Sequence, residues 1–139
     1  SIMGDADPTH YVVSASRHSP KRTVVDTGDA EFVVGDDVNP VEYFLGAVLG
    51  CINSTGTMVA RDMDVDIESL EIAIEGDLDY STYLGKESDD RTGLQGLEVS
   101  LDVETAGDAD LDAWLAAVKE RCPVTDNVEN ETPLQVSLE

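Results

Sequence analysis

The hydrophobic pattern begins with short apolar runs that are separated by turn residues. Residues 10–16 (HYVVSAS) and 23–25 (TVV) have strand chemistry and flank a turn at Ser19 and Pro20, which predicts an N-terminal hairpin. A third short apolar run, residues 29–35, is bounded by glycines. We therefore expect three strands before the first helix.

The longest apolar stretch predicts a helix with a well-defined start. Asn39 suits the N-cap, Pro40 suits the first helical position, and residues 43–60 are apolar on nearly every side. A surface helix carries a single apolar stripe, so we expect this helix to be buried in the centre of the fold or at a subunit interface. Gly50, directly before Cys51, would allow a break, so one helix and two helices both remain open.

The second half of the chain alternates first with a strand period and then with a helix period. Residues 65–76 and 94–103 predict two strands, and residues 108–122 predict a helix that Pro123 ends. Residues 134–138 predict a last strand. The expected order is βββ-α-ββ-α-β, which indicates an α+β domain with mainly antiparallel strands.

Length and hydropathy indicate one domain over residues 1–139, because 41% hydrophobic residues suffice for one core. Residues 1–8 are expected to be disordered or partly vector-derived, since Ser1 and Ile2 precede Met3. No run approaches the roughly 18 consecutive apolar residues of a membrane span, and the start lacks signal-peptide features. We therefore expect a cytoplasmic protein with no membrane partner.

Charge narrows the set of partners and indicates a habitat. The chain has 30 acidic and 8 basic residues, for a formal net charge of −22 and a pI near 4.1. Nucleic acids and anionic membranes are therefore disfavoured partners. Acidic residues spread along the whole chain are typical of halophilic proteins from a high-salt cytoplasm, so we expect salt to stabilise this protein by screening self-repulsion.

The two cysteines are the main candidates for chemistry. They are too few for a secreted disulfide scaffold and lack CxxC spacing, so count alone leaves buried, inert thiols and reactive thiols equally open. His10 and His18 have no short-spaced ligand partner, and the chain has no GxGxxG or P-loop motif. We expect neither a metal nor a cofactor.

Three stretches together resemble the OsmC/Ohr superfamily: residues 39–51 (NPVEYFLGAVLGC), 74–79 (IEGDLD) and 120–125 (ERCPVT). The NPxE start, with a cysteine twelve positions after the asparagine, is a fairly specific signature, and the CPV segment strengthens it. The resemblance implies antiparallel sheets wrapped around long buried central helices in an intertwined homodimer. It also implies active sites at the dimer interface.

The resemblance further implies an activity, the thiol-dependent reduction of organic hydroperoxides in oxidative or osmotic stress defence. Cys51 would become a sulfenic acid, and Cys122 would condense with it to a disulfide that an unidentified cellular dithiol reduces. Two alternatives remain. The chain could be a non-catalytic OsmC-like dimer that binds a hydrophobic ligand or senses redox state, or a purely structural dimer.

Two further residues have roles that the resemblance implies. An ordinary thiol is only about 3% ionised at pH 7, so the pKa of Cys51 must be lowered, either by an arginine or by helix N–H groups if a new helix begins at Cys51. The resemblance implies an arginine from the N-terminal hairpin; Arg22 is favoured, and Arg17 remains possible. Alternatively, both arginines are simply charged turn residues that are exposed to solvent and have no role in the site. Glu42 would hold the arginine and pass a proton to the leaving group, or would simply be a favourable acid in the first helical turn.

The position of Glu42 restricts how it could act. It lies nine residues from Cys51, about 13.5 Å away and on the opposite face of a straight helix. Glu42 could therefore serve that cysteine only through a kink or from a partner chain. Two roles remain open for four apolar residues near the start of the helix: they could line an apolar pocket for the substrate, or they could pack in an ordinary core. These residues are Tyr43, Phe44, Leu45 and Leu49.

Overall fold

A computed structural model describes residues 7–139. These residues form two compact units that divide within the first helix, between Phe44 and Leu45. The expected disordered or vector-derived start falls mostly on residues 1–6, which lie outside the described residues. The architecture is α+β with antiparallel sheets, as the pattern predicted.

The first unit is a three-stranded antiparallel sheet in the order β1-β2-β3. Its strands are β1 (Ser14–Ser19), β2 (Arg22–Asp26) and β3 (Glu31–Gly35). The prediction began the first strand at residue 10. The observed strand begins at Ser14, because that residue pairs with Asp26, where β2 ends.

The turn that follows β3 requires glycine. Gly35 has φ 100°, and a Cβ atom there would clash with the carbonyl oxygen of Lys21. Asp36 follows with φ 58°, and its backbone N–H donates to the same Lys21 carbonyl at 2.9 Å. This turn brings the side chain of Asp36 to the start of β2.

Helix α1 (Pro40–Asp62) begins where the sequence predicted. Asn39 and Glu42 form a reciprocal capping box, in which each side chain accepts a hydrogen bond from the other residue's backbone N–H, at 3.0 and 2.8 Å. The helix runs without a break through Gly50, so the apolar stretch forms one helix and not two.

The second unit contains the remaining length of α1 with two strands and two short helices. The strands β4 (Ile67–Leu78) and β5 (Leu94–Thr105) pair antiparallel, and α2 (Leu111–Arg121) is followed directly by α3 (Pro123–Glu129). The sequence prediction lacked α3. Proline does end α2, but it also suits the first position of a helix and begins α3.

The core of the second unit lies where α2 meets α1. Its most buried large side chains are Trp114, Val118 and Val59, and apolar residues of β4 and β5 pack against this cluster. The indole Nε1–H of Trp114 donates to the carbonyl oxygen of Gly56 at 2.9 Å. A Cβ atom on Gly56 would lie 2.7 Å from the Trp114 ring, so glycine allows this close approach.

Within residues 7–139, one face of α1 is buried and the other is exposed. Val48, Ile52 and Val59 are buried, whereas Phe44 and Met58 are exposed. By length and composition the helix could cross a membrane, a criterion that the core helix of a soluble protein also meets. Because its buried face packs against α2, we interpret α1 as a core helix.

The strand predicted over residues 134–138 does not form in the described chain, so this prediction is wrong for a single chain. Residues 131–139 have no regular structure, and Leu134, Val136 and Leu138 are 85%, 87% and 102% exposed. Alternation predicts the two faces of a strand, but a strand also needs a neighbouring edge to bond with. No strand of residues 7–139 pairs with this segment.

Candidate functional site

The two cysteines of the second unit meet although 71 residues separate them. Their sulfur atoms lie 3.0 Å apart and share a hydrogen bond, and both thiols are free. Cys51 is on α1 and is partly exposed, whereas Cys122 joins α2 to α3 and is 1% exposed. The contact follows from the packing of α2 against α1.

Pro123 determines the backbone at Cys122. Helical geometry is disfavoured at a residue that precedes proline, and Cys122 is extended, with φ −81° and ψ 111°. Its backbone N–H still donates to the Val118 carbonyl at 3.0 Å, so the residue remains tied to the end of α2. The Cys-Pro sequence thus holds the thiol at the junction of two helices.

Polar groups around the sulfur atoms come from α1 and α3. The hydroxyl of Thr55, one turn after Cys51, lies 3.7 Å from the Cys51 sulfur. Thr125 donates its hydroxyl to the carbonyl of Cys122 at 3.1 Å. The backbone N–H groups of Val124 and Thr125 also favour negative charge on the thiols.

The two thiols differ in acidity. Burial raises the pKa of Cys51, and its hydrogen bond to Cys122 raises it further. Burial acts in the same direction on Cys122, but its hydrogen bonds with Cys51 and Thr125 outweigh burial and lower the pKa of Cys122. Within the single chain, the thiol with the lowered pKa is therefore Cys122, and a lowering of the Cys51 pKa by an arginine stays a prediction.

This arrangement can perform dithiol–disulfide chemistry. A disulfide requires sulfur atoms about 2.05 Å apart, roughly 1 Å closer than the observed 3.0 Å. When one of the two thiols is deprotonated, its neighbour can supply a proton or the second sulfur atom of a disulfide. The partial exposure of Cys51 gives a small oxidant a way to reach the pair.

The predicted arginine lies in the first unit, in an exposed ion pair. Nη1 of Arg22 lies 3.0 Å from Oδ2 of Asp36, and both side chains are more than two-fifths exposed. The alternative, Arg17, is on β1 opposite Thr23 and is exposed. The role of either arginine toward the thiols stays a prediction.

Glu42 is in the capping box at the start of α1, which matches its alternative role as an acid of the first turn. Because α1 is unbroken, the kink that would bring Glu42 toward Cys51 is missing. Proton transfer by Glu42 therefore stays a prediction that needs a second chain.

The sequence reading missed Thr55 and the first turn of α3 as parts of the site. Thr55 is a small polar residue within the helix predicted over residues 43–60. Its spacing of four residues from Cys51 was the available signal, since such residues share a helix face. For α3, the signal was a proline directly after Cys122.

Two other predictions concern the surroundings of the site. Among residues 7–139, no three His, Cys, Asp or Glu residues form a group that could hold a metal ion. Tyr43, a candidate for the pocket, packs against Phe32 with ring centroids 5.5 Å apart. Both of these residues belong to the first unit.

Solved structures share this fold at low sequence identity. An OsmC-like protein of Mycoplasma pneumoniae has a TM-score of 0.76 at 13% identity, with 88% of this chain and 89% of that chain covered. Organic hydroperoxide resistance proteins of Legionella pneumophila and Elizabethkingia anophelis each have a TM-score of 0.60, at 20% and 18% identity. Both comparisons cover 88% of this chain and 91% of the other.

The family is shown by sequence as well as by fold. No curated protein matches the chain. The model of the OsmC-like protein family, however, matches residues 34–137, which include both cysteines and the helix that carries Cys51. This protein therefore belongs to the OsmC-like protein family.

Proposed function

We propose that this protein is a thiol-dependent reductase of organic hydroperoxides that uses Cys51 and Cys122 as its redox pair. The 3.0 Å contact between the two sulfur atoms is the observation that carries the proposal. Family membership and the fold shared with two organic hydroperoxide resistance proteins support it. The reaction would serve oxidative or osmotic stress defence in the cytoplasm.

The first chemical step begins with the Cys122 thiolate, which the lowered pKa of Cys122 favours. This thiolate takes the proton of the Cys51 thiol across the 3.0 Å contact. The Cys51 thiolate then attacks the terminal oxygen of the hydroperoxide and breaks the O–O bond. Cys51 becomes a sulfenic acid, and the alkoxide that leaves takes the proton now held by Cys122.

The second step forms the disulfide. The Cys122 thiolate, regenerated by that proton transfer, attacks the Cys51 sulfenic acid, forms the S–S bond and displaces hydroxide, which leaves into solvent. The sum is one thiol, one thiolate and one hydroperoxide converted to a disulfide, an alcohol and hydroxide. A cellular dithiol, itself oxidised to a disulfide, restores both cysteines by exchange.

The proposal includes a homodimer, because the isolated chain exposes apolar surface that water disfavours. Met58 on α1 is 49% exposed, and the C-terminal segment exposes Leu134, Val136 and Leu138. If a second copy covers α1, its own Glu42 would be the one that reaches the thiols of the first copy. Arg22 would then act on the same site.

The function is tested by counting free thiols and measuring intact mass after a small excess of organic hydroperoxide at molar salt. Thiols are counted after denaturation, because Cys122 is buried. We expect rapid loss of both thiols and a mass decrease of two hydrogen atoms. Two unreacted thiols in folded protein would refute the reductase and favour the non-catalytic dimer.

Two serine variants separate the roles of the cysteines. Cys51→Ser should consume no hydroperoxide. Cys122→Ser, which keeps the attacking thiol but lacks its proton acceptor, should consume one equivalent more slowly and stop at a Cys51 sulfenic acid that a dimedone probe traps. Trapping on Cys122 in the Cys51→Ser protein would reverse the assignment.

The dimer is tested by sedimentation equilibrium at molar salt. Met58→Asp should yield monomers, since it puts a charge on the exposed face of α1, whereas Thr82→Asp, on an exposed loop, should leave the dimer intact. A wild-type protein that sediments as a monomer would contradict the dimer.

A further inference from the structure

Thr55 is a buried polar residue in an apolar core. It is 6% exposed and lies among core residues of α1 that pack against α2. Burying a hydroxyl costs free energy unless it forms a hydrogen bond. The partner of this hydroxyl therefore indicates what the residue does.

The partner differs from that of a nearby threonine in the same helix. Thr57 donates its hydroxyl to the backbone carbonyl four residues earlier, Asn53, at 2.9 Å, which is the usual bond of a helical threonine. The hydroxyl of Thr55 instead lies 3.7 Å from the sulfur of Cys51. The sulfur of Cys122 lies 3.0 Å from that of Cys51, and a hydrogen bond with Thr55 also contributes to the lowered pKa of Cys122.

We propose that Thr55 is a positioning residue of the cysteine pair, whose hydroxyl donates a hydrogen bond to whichever sulfur atom carries the negative charge. A hydroxyl can turn about its C–O bond to follow the charge from Cys122 to Cys51. A donor held in a buried site needs no rearrangement of water when the charge moves. This role deepens the proposed function and rests on it for its place in the reaction.

The test compares Thr55→Val with Thr55→Ser. Valine keeps the shape of threonine without the hydroxyl, and serine keeps the hydroxyl. Thr57→Val is the matched control, because it removes a hydroxyl from the same helix that bonds only to the backbone. The readout is the rate of thiol alkylation by iodoacetamide in reduced protein as a function of pH, with the modified cysteine identified by peptide mass.

Loss of the donor disfavours the thiolate and therefore raises the pKa of the pair. For Thr55→Val we expect a rise of about one pH unit, so that alkylation at a fixed pH below the pKa slows about tenfold. Thr55→Ser should restore most of the rate, and Thr57→Val should match the wild type. A Thr55→Val profile that coincides with the wild-type profile would overturn the proposal, as would a serine variant no better than valine.

The outcomes also separate this proposal from the reductase. Alkylation does not require a peroxide, so a profile that depends on Thr55 in a protein that ignores hydroperoxide would support the Thr55 role and refute only the reductase. If Thr55→Val fails to fold by circular dichroism, Thr55→Ser is compared with Thr55→Ala. Equal profiles for serine and alanine would then overturn the proposal.

Discussion

The substitution Gly56→Ala should destabilise the protein, although alanine normally favours a helix over glycine by about 1 kcal/mol. At this position the added Cβ atom would lie 2.7 Å from Cζ2 of Trp114. The indole cannot withdraw freely, because it is 1% exposed and donates to the Gly56 carbonyl at 2.9 Å. The steric penalty therefore opposes the gain in helix propensity.

The magnitude follows from these two opposed effects. Overpacking a well-packed core costs about 1 to 3 kcal/mol, and a contact below 3 Å against a fixed ring belongs at the upper end. Subtracting about 1 kcal/mol of helix propensity leaves a loss of about 2 kcal/mol in the free energy of unfolding. For a urea m-value of about 2 kcal/mol/M, the midpoint should fall by about 1 M.

The assay is urea denaturation at fixed molar salt and equal protein concentration, followed by circular dichroism. A double-mutant cycle with Trp114→Phe tests the cause, because phenylalanine lacks the second ring that approaches Gly56. In that background, Gly56→Ala should cost at least about 1 kcal/mol less. The reasoning is refuted if Gly56→Ala leaves the midpoint unchanged, or if the loss is the same in both backgrounds.

Three further predictions concern charges. Hydrogen bonds from Ser81, the larger cause, and from Ser88 hold the pKa of Asp79 at about 2. Ser88→Ala should therefore raise that pKa in an NMR titration, and an unchanged pKa would contradict the role of Ser88. Because this pKa lies below the ordinary 3.8, the charged carboxylate stabilises the fold above about pH 4, and this contribution is lost as pH falls toward 2. In thermal melts at acid pH, Ser88→Ala should therefore lose less stability between about pH 4 and pH 2 than the wild type. Arg121→Ala should cost less than about 1 kcal/mol in urea denaturation, because its ion pair with Asp62 at 2.8 Å is solvent-exposed, and a loss above about 2 kcal/mol would be inconsistent with that. The melting temperature should rise from dilute buffer to molar salt, because screening relieves the repulsion of a net charge of −22, and a flat salt dependence would count against halophilic adaptation.

The local pattern was sufficient for most elements and for the start of α1. Strand alternation and helix spacing are properties of a few neighbouring residues, so they can be read without knowing what the element packs against. The capping pair Asn39 and Glu42 is equally local, and it formed as the sequence indicated. The break at Gly50 did not form, because glycine permits a bend but does not require one.

The C-terminal segment shows the limit of that reading. Leu134, Val136 and Leu138 alternate as a strand should, yet no strand of the described chain pairs with them. A strand depends on the edge of another strand, which lies elsewhere in the chain or in another chain.

For the site, the sequence by itself determined which residues could do chemistry: two thiols, one of them directly before a proline. Only the tertiary structure decided that the sulfur atoms of Cys51 and Cys122 lie 3.0 Å apart, that the lowered pKa belongs to Cys122, and that Thr55 faces the pair. The physical reason is that the contact and the acidity of a thiol depend on burial and on neighbours distant in sequence. Here those neighbours are brought together by the packing of α2 against α1, at the place where Gly56 makes room for Trp114.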